Sequence, residues 1–278
     1  MQKWILYIAL FLAISSCEDP IDVTLEEGPI QLVVDGRITD EGPARVRLST
    51  TAPYFEEGPT PRISGASLRI LENGQSFDVL TEVPGDPGIY EGTVPAEIGR
   101  QYTIEIEIPE SSASTLAGTW ISKSERVFPI FDIDSVYLSF YNTPPLPVGD
   151  YLNFMYLRPF TFPSGAYYRI KRTVNDSAYF QDFLFINDIN ELESFRFRPV
   201  INELIEPGDT IAMEFNSMTL AYREYLQVLF QQLNPGGLFD PPPAPIRGNI
   251  QEQGGNSRVA LGYFSASSVT RAGFKKPE

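Results

Sequence analysis

A chain without a single histidine cannot assemble a Ser-His-Asp or Cys-His relay, an imidazole metal site, or the usual general base near neutral pH. Carboxylate pairs, lysine bases and oxygen-ligand calcium sites remain open to it. Acidic residues are plentiful, at 36 Asp plus Glu, yet they gather suggestively in only two places. Asp132 and Asp134 bring two carboxylates where calcium takes six or more oxygens, so their segment reads as a connector. Asn187-Asp188-Ile189-Asn190-Glu191-Leu192-Glu193 lacks the sixth-position glycine and the terminal spacing of an EF-hand and reads as a polar loop. No residue is assigned a catalytic role, and neither a metal nor a cofactor is expected.

One side chain does carry a position-specific chemistry. Cys17 is the sole cysteine and has no disulfide partner within the chain. It follows Lys3, an apolar run from Ile5 to Ile14, and two small residues, Ser15 and Ser16. The run is shorter than the roughly 20 apolar residues of a membrane helix and suits the core of a secretory leader. Ile14-Ser15-Ser16-Cys17 resembles the bacterial lipobox, which implies cleavage after residue 16 and acylation of the Cys17 sulfur. Each buried acyl methylene contributes about 0.8 kcal/mol, so two or three chains hold a protein on a bilayer almost permanently. Residues 17–29 then form a tether opened by Glu18, Asp19 and Asp22. An acidic start of this kind loosely resembles a surface-export signal; the plain alternative is a solvated linker.

The elements that follow are strands. A hydrophobic share of 42% fills real cores, while 24 prolines and 21 glycines demand turns and leave little room for long helices. The formal charge of −15 grows by one when the segment bearing Lys3 is removed, and such a surface repels nucleic acid.

The sequence predicts a mainly β protein of two consecutive sandwich-like domains, the first immunoglobulin-like or fibronectin-like over 30–127. Val46 and Leu48 alternate with Arg45 and Arg47 after an Asp40-Glu41-Gly42-Pro43 turn. Ala66, Leu68 and Ile70 lead to Asn73-Gly74, a type I′ hairpin signal, after which Phe77 and Val79 are expected on the apolar face. Tyr102, Ile104, Ile106 and Ile108 alternate with polar neighbours. With 30–38, 89–94 and 120–127, about seven short strands result.

A linker is expected over 128–134 and a second β-rich domain over 135–278. Its strands read as 136–141, 152–157, 167–174, 179–186 and 210–215, with 259–269 closing the domain. Within it, Met218, Tyr222, Tyr225, Leu229 and Leu233 recur at helical spacing, predicting a helix over 218–233 with Ser217 as N-cap. Phe239-Asp240-Pro241-Pro242-Pro243-Ala244-Pro245 must be extended and reads as a rigid connector.

Across nearly the whole mature chain, a set of short motifs is similar to the Bacteroidota lipoproteins of domain-of-unknown-function family 4249. They are Cys17-Glu18-Asp19-Pro20, Leu32-Val33-Val34-Asp35-Gly36, Gly65-Ala66-Ser67, Gly99-Arg100-Gln101-Tyr102-Thr103, Asp134-Ser135-Val136, Gly237-Leu238-Phe239-Asp240-Pro241-Pro242, Gly248-Asn249-Ile250 and Ala260-Leu261-Gly262-Tyr263-Phe264-Ser265-Ala266. The resemblance brings no catalytic residues. It implies an outer-membrane lipoprotein, anchored on the periplasmic or the surface-exposed face, that is an accessory to a TonB-dependent receptor.

Three functions compete on this reading. The first is a noncatalytic binding component of a TonB-dependent nutrient uptake system. The second is a carbohydrate-active or other carboxylate-based surface enzyme, for which Trp120 is the only tryptophan left after cleavage to stack on a sugar. The third is a surface adhesion or structural lipoprotein.

Overall fold

A computed structural model describes residues 28–53, 58–142, 144, 148–157, 166–175, 177–178, 184–187, 195–199, 206–233, 246–254 and 258–278. The leader with Cys17, nearly all of the tether, the polar loop after Asn187 and the proline strip at 239–245 lie outside these residues.

The first unit is built from β1 (Leu32–Thr39), β2 (Pro43–Thr50), β3 (Ser67–Glu72), β4 (Gln75–Glu82), β5 (Ile89–Pro95), β6 (Gln101–Ile108), β7 (Gly118–Ser122) and β8 (Glu125–Arg126), with a short helical segment α1 (Glu110–Ala113) between β6 and β7. The order β5-β2-β1 makes one layer and β4-β3-β6-β7 the other, with β4 also touching β5 so that the sheet curls over at that corner. This three-on-four partition of seven strands is an immunoglobulin-like sandwich of the fibronectin kind. The core between the layers takes Val34, Val46, Leu48, Leu68, Ile70, Ile104 and Ile106, all buried. Each such side chain stabilises the fold by about 1.5–3 kcal/mol. At the start of β6, the Tyr102 hydroxyl accepts a hydrogen bond from the Glu97 amide at 2.8 Å. That is the tyrosine corner of such sandwiches, and it gives the Gly99-to-Thr103 motif a structural job.

The Asn73-Gly74 turn forms with positive φ at both residues, as a type I′ hairpin needs. Phe77 packs against the core and the Tyr102 ring as expected, but a register shift between Ile70 and Leu71 changes the faces of β4 beyond it. Asp78 and Leu80 point inward, whereas Val79 is 62% exposed. The buried Asp78 carboxylate is satisfied by the Thr93 amide at 2.7 Å and the Val94 amide at 3.0 Å.

The second unit stacks a three-stranded sheet on a five-stranded one. The former orders β14 (Phe195–Pro199), β10 (Gly149–Leu157) and β9 (Asp132–Tyr141). The latter orders β12 (Ser177–Ala178), β11 (Tyr167–Val174), β15 (Thr210–Met218) and β18 (Val269–Lys275), with β13 (Leu184–Asn187) also on β11. Ile133, Val136 and Leu138 of β9 meet Ile170, Met213 and Phe215 in their shared core. Phe131 is buried there too, so the segment expected as a linker over 128–134 is core and strand. Asp132 and Asp134 are exposed on β9, and no group of three or more metal-ligating side chains gathers among the described residues.

The expected boundary between two sequential domains is corrected by the chain's return. After α2 (Leu220–Leu233), strands β16 (Ile250–Glu252) and β17 (Leu261–Ser267) leave the second unit and complete the first. β16 pairs with β7, and β17 lies parallel to β1, extending the first sheet to ten strands. Alternation in 259–269 specifies a strand but not its partner. The close approach needs glycine. Gly262 has φ of +82° and a Cβ there would sit 2.0 Å from the Val34 carbonyl oxygen, while one on Gly248 would sit 2.3 Å from that of Gly262.

The helix also begins later than expected. β15 runs on through Met218, and Thr219 caps α2, its Oγ1 accepting from the Tyr222 amide at 3.2 Å. Ser217 serves the sheet junction, its Oγ accepting from the Ser268 amide at 2.9 Å. No described helix is long and apolar enough to cross a membrane.

Candidate functional site

Where the chain passes from β17 to β18 the two units are fastened together. Ser268 donates its hydroxyl to the Phe128 carbonyl at 2.5 Å, and the Val269 amide donates to Asp40 at 2.9 Å. Beneath this seam lies Glu125, only 2% exposed. Its carboxyl accepts from the Tyr263 hydroxyl at 2.5 Å, from Thr219 Oγ1 at 2.7 Å and, more loosely, from Asn249 Nδ2 at 3.5 Å. Burial raises its pKa, outweighing these hydrogen bonds, which pull it down. Asn249 in turn clasps β17, donating to the Phe264 carbonyl at 2.9 Å and accepting from its amide at 3.0 Å. The Gly248-Asn249-Ile250 and Gly262-Tyr263-Phe264 motifs are therefore joints.

Above the seam opens a cleft of about 840 Å³, lined by both units and by α2. One wall is the outer face of β17, β1 and β2. Core residues take alternate positions on these strands, so Tyr263, Ser265, Asp35, Arg37, Arg45 and Arg47 line the cleft instead. The cross-strand register places Asp35 between Arg47 and Tyr263, and Arg37 between Arg45 and Ser265. The other wall is the outer face of β11, β15 and β18, where one row reads Lys171, Glu214, Arg271 and the next Arg169, Asn216, Val269. Across one end, α2 contributes Tyr222, Tyr225, Leu226 and Leu229 at positions i, i+3, i+4 and i+7. Tyr222 and Tyr225 lie against Tyr263, with ring centroids 4.7 and 4.9 Å away.

The electrostatics run against the rest of the molecule. In a chain of charge −15 the cleft lines up, among the described residues, six cations, Arg37, Arg45, Arg47, Arg169, Lys171 and Arg271, against four carboxylates. Arg47 pairs with Asp35 at 2.9 Å, Lys171 with Glu214 at 2.9 Å, and Arg271 with Glu214 at 2.8 Å. Arg45 pairs with Glu91, and Arg271 also with Glu41. Burial lowers the proton affinity of Arg169 and of Lys171, and the positive charge of Arg37 lowers both further. Burial would raise Glu214, but the Lys171 ammonium holds it below the ordinary carboxylate value. The Tyr225 phenol is pushed up to about 12 by burial first and then by Tyr222 and Asp35.

Trp120, the one tryptophan of the sugar-stacking reading, is buried in the first core with its Nε1 donating to the Leu116 carbonyl at 3.0 Å. The cleft residues escaped sequence reasoning because Arg37, Arg45 and Arg47 lie more than 120 positions before Arg169 and Lys171. The available signal was the run of outward arginines and lysines, Arg45 with Arg47 and Arg169 with Lys171, in so acidic a chain.

Comparison with known proteins adds a family. The profile described as Domain of unknown function (DUF4249) matches residues 18–272. The chain belongs to this family. The DUF4249 match spans both units and the joints that fasten them, which accords with motifs that serve the fold. No curated protein matches the sequence. Among solved structures, the chicken interferon gamma receptor alpha chain aligns over 90% of this DUF4249 chain and 99% of its own length, at 12% identity. Its TM-score of 0.25 is too low to carry any inference.

Proposed function

We propose that this DUF4249 chain is a noncatalytic binding lipoprotein of a bacterial outer membrane, anchored through lipid on Cys17, that serves a TonB-dependent nutrient uptake system. In this reading the cleft between the two units is where the ligand is held. The observation that carries it is the cleft itself: a recess of about 840 Å³, within the usual size of ligand pockets, walled by tyrosines and fixed charges on strands. The lipobox resemblance and the family's implied association with TonB-dependent receptors support the location and the partner.

The state of the cleft carboxylates favours binding over hydrolysis. A glycosidase needs one carboxylic acid whose pKa is raised so that it arrives protonated. Each cleft carboxylate is tied to an arginine or a lysine, and Glu214 is held ionised. Of the carboxyls with raised values, Glu125 is sealed beneath Tyr263 and Asp40 accepts the Val269 amide at the seam, and neither lines the cleft.

Purifying the full chain at native levels from outer membranes in mild detergent tests the proposal. A TonB-dependent receptor should co-purify, and the N-terminal peptide should carry acyl chains on Cys17. Recovery of the chain alone would overturn the partnership, and an unmodified Cys17 thiol would overturn the anchor.

A further inference from the structure

We propose that the end of the cleft around Arg37 is a subsite for a multiply charged oxyanion, a phosphate ester or a dicarboxylate, borne on a ligand whose flat or apolar body lies along the tyrosines. The inference rests on the reading that the cleft holds the ligand, and it names the chemistry of that ligand.

Sheet register creates the site. Arg37 on β1 stands directly opposite Arg45 on β2, and like charges so placed repel. Arg45 is compensated because its other neighbour across the sheet is Glu91, with which it pairs. On its other side Arg37 has Ser265, which carries no charge, and no described residue forms an ion pair or hydrogen bond with it. The facing wall offers only a shared carboxylate. Glu214 feels the charge of Arg37 but is already paired with Lys171 and Arg271. Arg37 thus stands close enough to Arg169 and Lys171 for its charge to depress the proton affinity of both, after the effect of burial.

Such a cluster is unfavourable in the empty protein and becomes favourable around an anion. Guanidinium forks match the paired oxygens of phosphate and carboxylate, and an oxyanion would meet the charge of Arg37, for which no ion pair forms among the described residues, beside two further cations. A second recess of about 480 Å³ opens at the same residues, Arg37, Lys171, Glu214 and Arg271, giving the headgroup room. A further observation points to a bound molecule. Asn216, which lines the cleft beside Arg169, is 9% exposed and its Oδ1 has no hydrogen-bond partner among the described residues. A hydroxyl or amine on the ligand would satisfy it. Tyr222, Tyr225 and Tyr263 offer the body of the ligand a surface of three rings in mutual contact.

Calorimetric titration of the full chain with phenyl phosphate, phthalate and neutral benzyl alcohol tests the subsite. At least one of the two anions should bind with one-to-one stoichiometry, at least about tenfold more tightly than benzyl alcohol, and raised salt should weaken it. Phenyl phosphate alone would assign a phosphate ester and phthalate alone a dicarboxylate. Arg37→Gln should weaken the anion by about tenfold while leaving the unfolding temperature unchanged or higher, a combination that a merely structural residue would not give. Arg100→Gln, at an exposed ion pair outside the cleft, should change nothing. Failure of both anions to bind, or equal binding to Arg37→Gln, would overturn the oxyanion subsite. Benzyl alcohol binding alone would overturn it while sparing the cleft. Loss of the receptor from native preparations, with anion binding intact, would overturn only the transporter partnership.

Discussion

Replacing Glu125 by glutamine should alter how stability depends on pH. Burial holds the Glu125 carboxyl above its ordinary value of 4.5, against hydrogen bonds from Tyr263, Thr219 and Asn249. Between the ordinary and the raised value, the folded protein keeps a proton that the unfolded chain has released. The stability contributed by this group is therefore complete below about pH 4.5 and is lost as pH climbs through the raised value. The loss proceeds at up to about 1.4 kcal/mol per pH unit over that window. Glutamine has the same shape and cannot ionise. Comparing the variant with wild type at each pH cancels the drift caused by the remaining charges. Urea unfolding from pH 4.5 to 8 should show the variant gaining on wild type as pH rises. Each pH unit of the window should add about 0.5 M to the difference in midpoints, for a slope near 3 kcal/mol per molar urea. Parallel midpoints across the range, or a wild type that gains with rising pH, would refute the claim that the seam holds a strained carboxyl.

Gly262→Ala should destabilise the protein by about 3 kcal/mol or more, because the backbone is left-handed there and a methyl would meet the Val34 carbonyl at 2.0 Å; chemical denaturation measures it. Asp78→Ala should cost about 2–4 kcal/mol in the same assay by stranding the Thr93 and Val94 amides. Tyr102→Phe should cost about 1–2 kcal/mol through the lost bond to the Glu97 amide, lowering the thermal midpoint by several degrees.

Local pattern made much of the fold legible. Arg45 to Leu48 and Tyr102 to Ile108 show their faces in the sequence, because alternation fixes which side of a strand meets a core. Asn73-Gly74 announced its turn for the same local reason. Phe77 packs against the core as expected, but Val79 was assigned to the wrong side because a single bulge, invisible to period-two reasoning, shifts the faces of the strand. The helix start was misplaced at Ser217 because Ser217 and Thr219 both carry a hydroxyl able to cap, and only the tertiary structure commits the first to the strand end and the second to the helix. The return of β17 to the first sheet depends on a pairing with β1 more than 220 residues away, and propensity carries no partner. The cleft was hidden for the same reason. Arg37 and Lys171 become neighbours only after both sheets have formed, and the significance of Arg37 lies in the register that leaves it opposite Arg45.

The most direct test of the cleft as the binding site uses a photo-reactive benzoylphenylalanine in place of Arg47, inside the cleft, or of Val79, exposed on the first unit outside it. Irradiation of the full chain in its native envelope, followed by mass spectrometry, reads the adducts. The account predicts a defined adduct from position 47 and none from position 79. Equal labelling from both positions, or none from position 47, would contradict it.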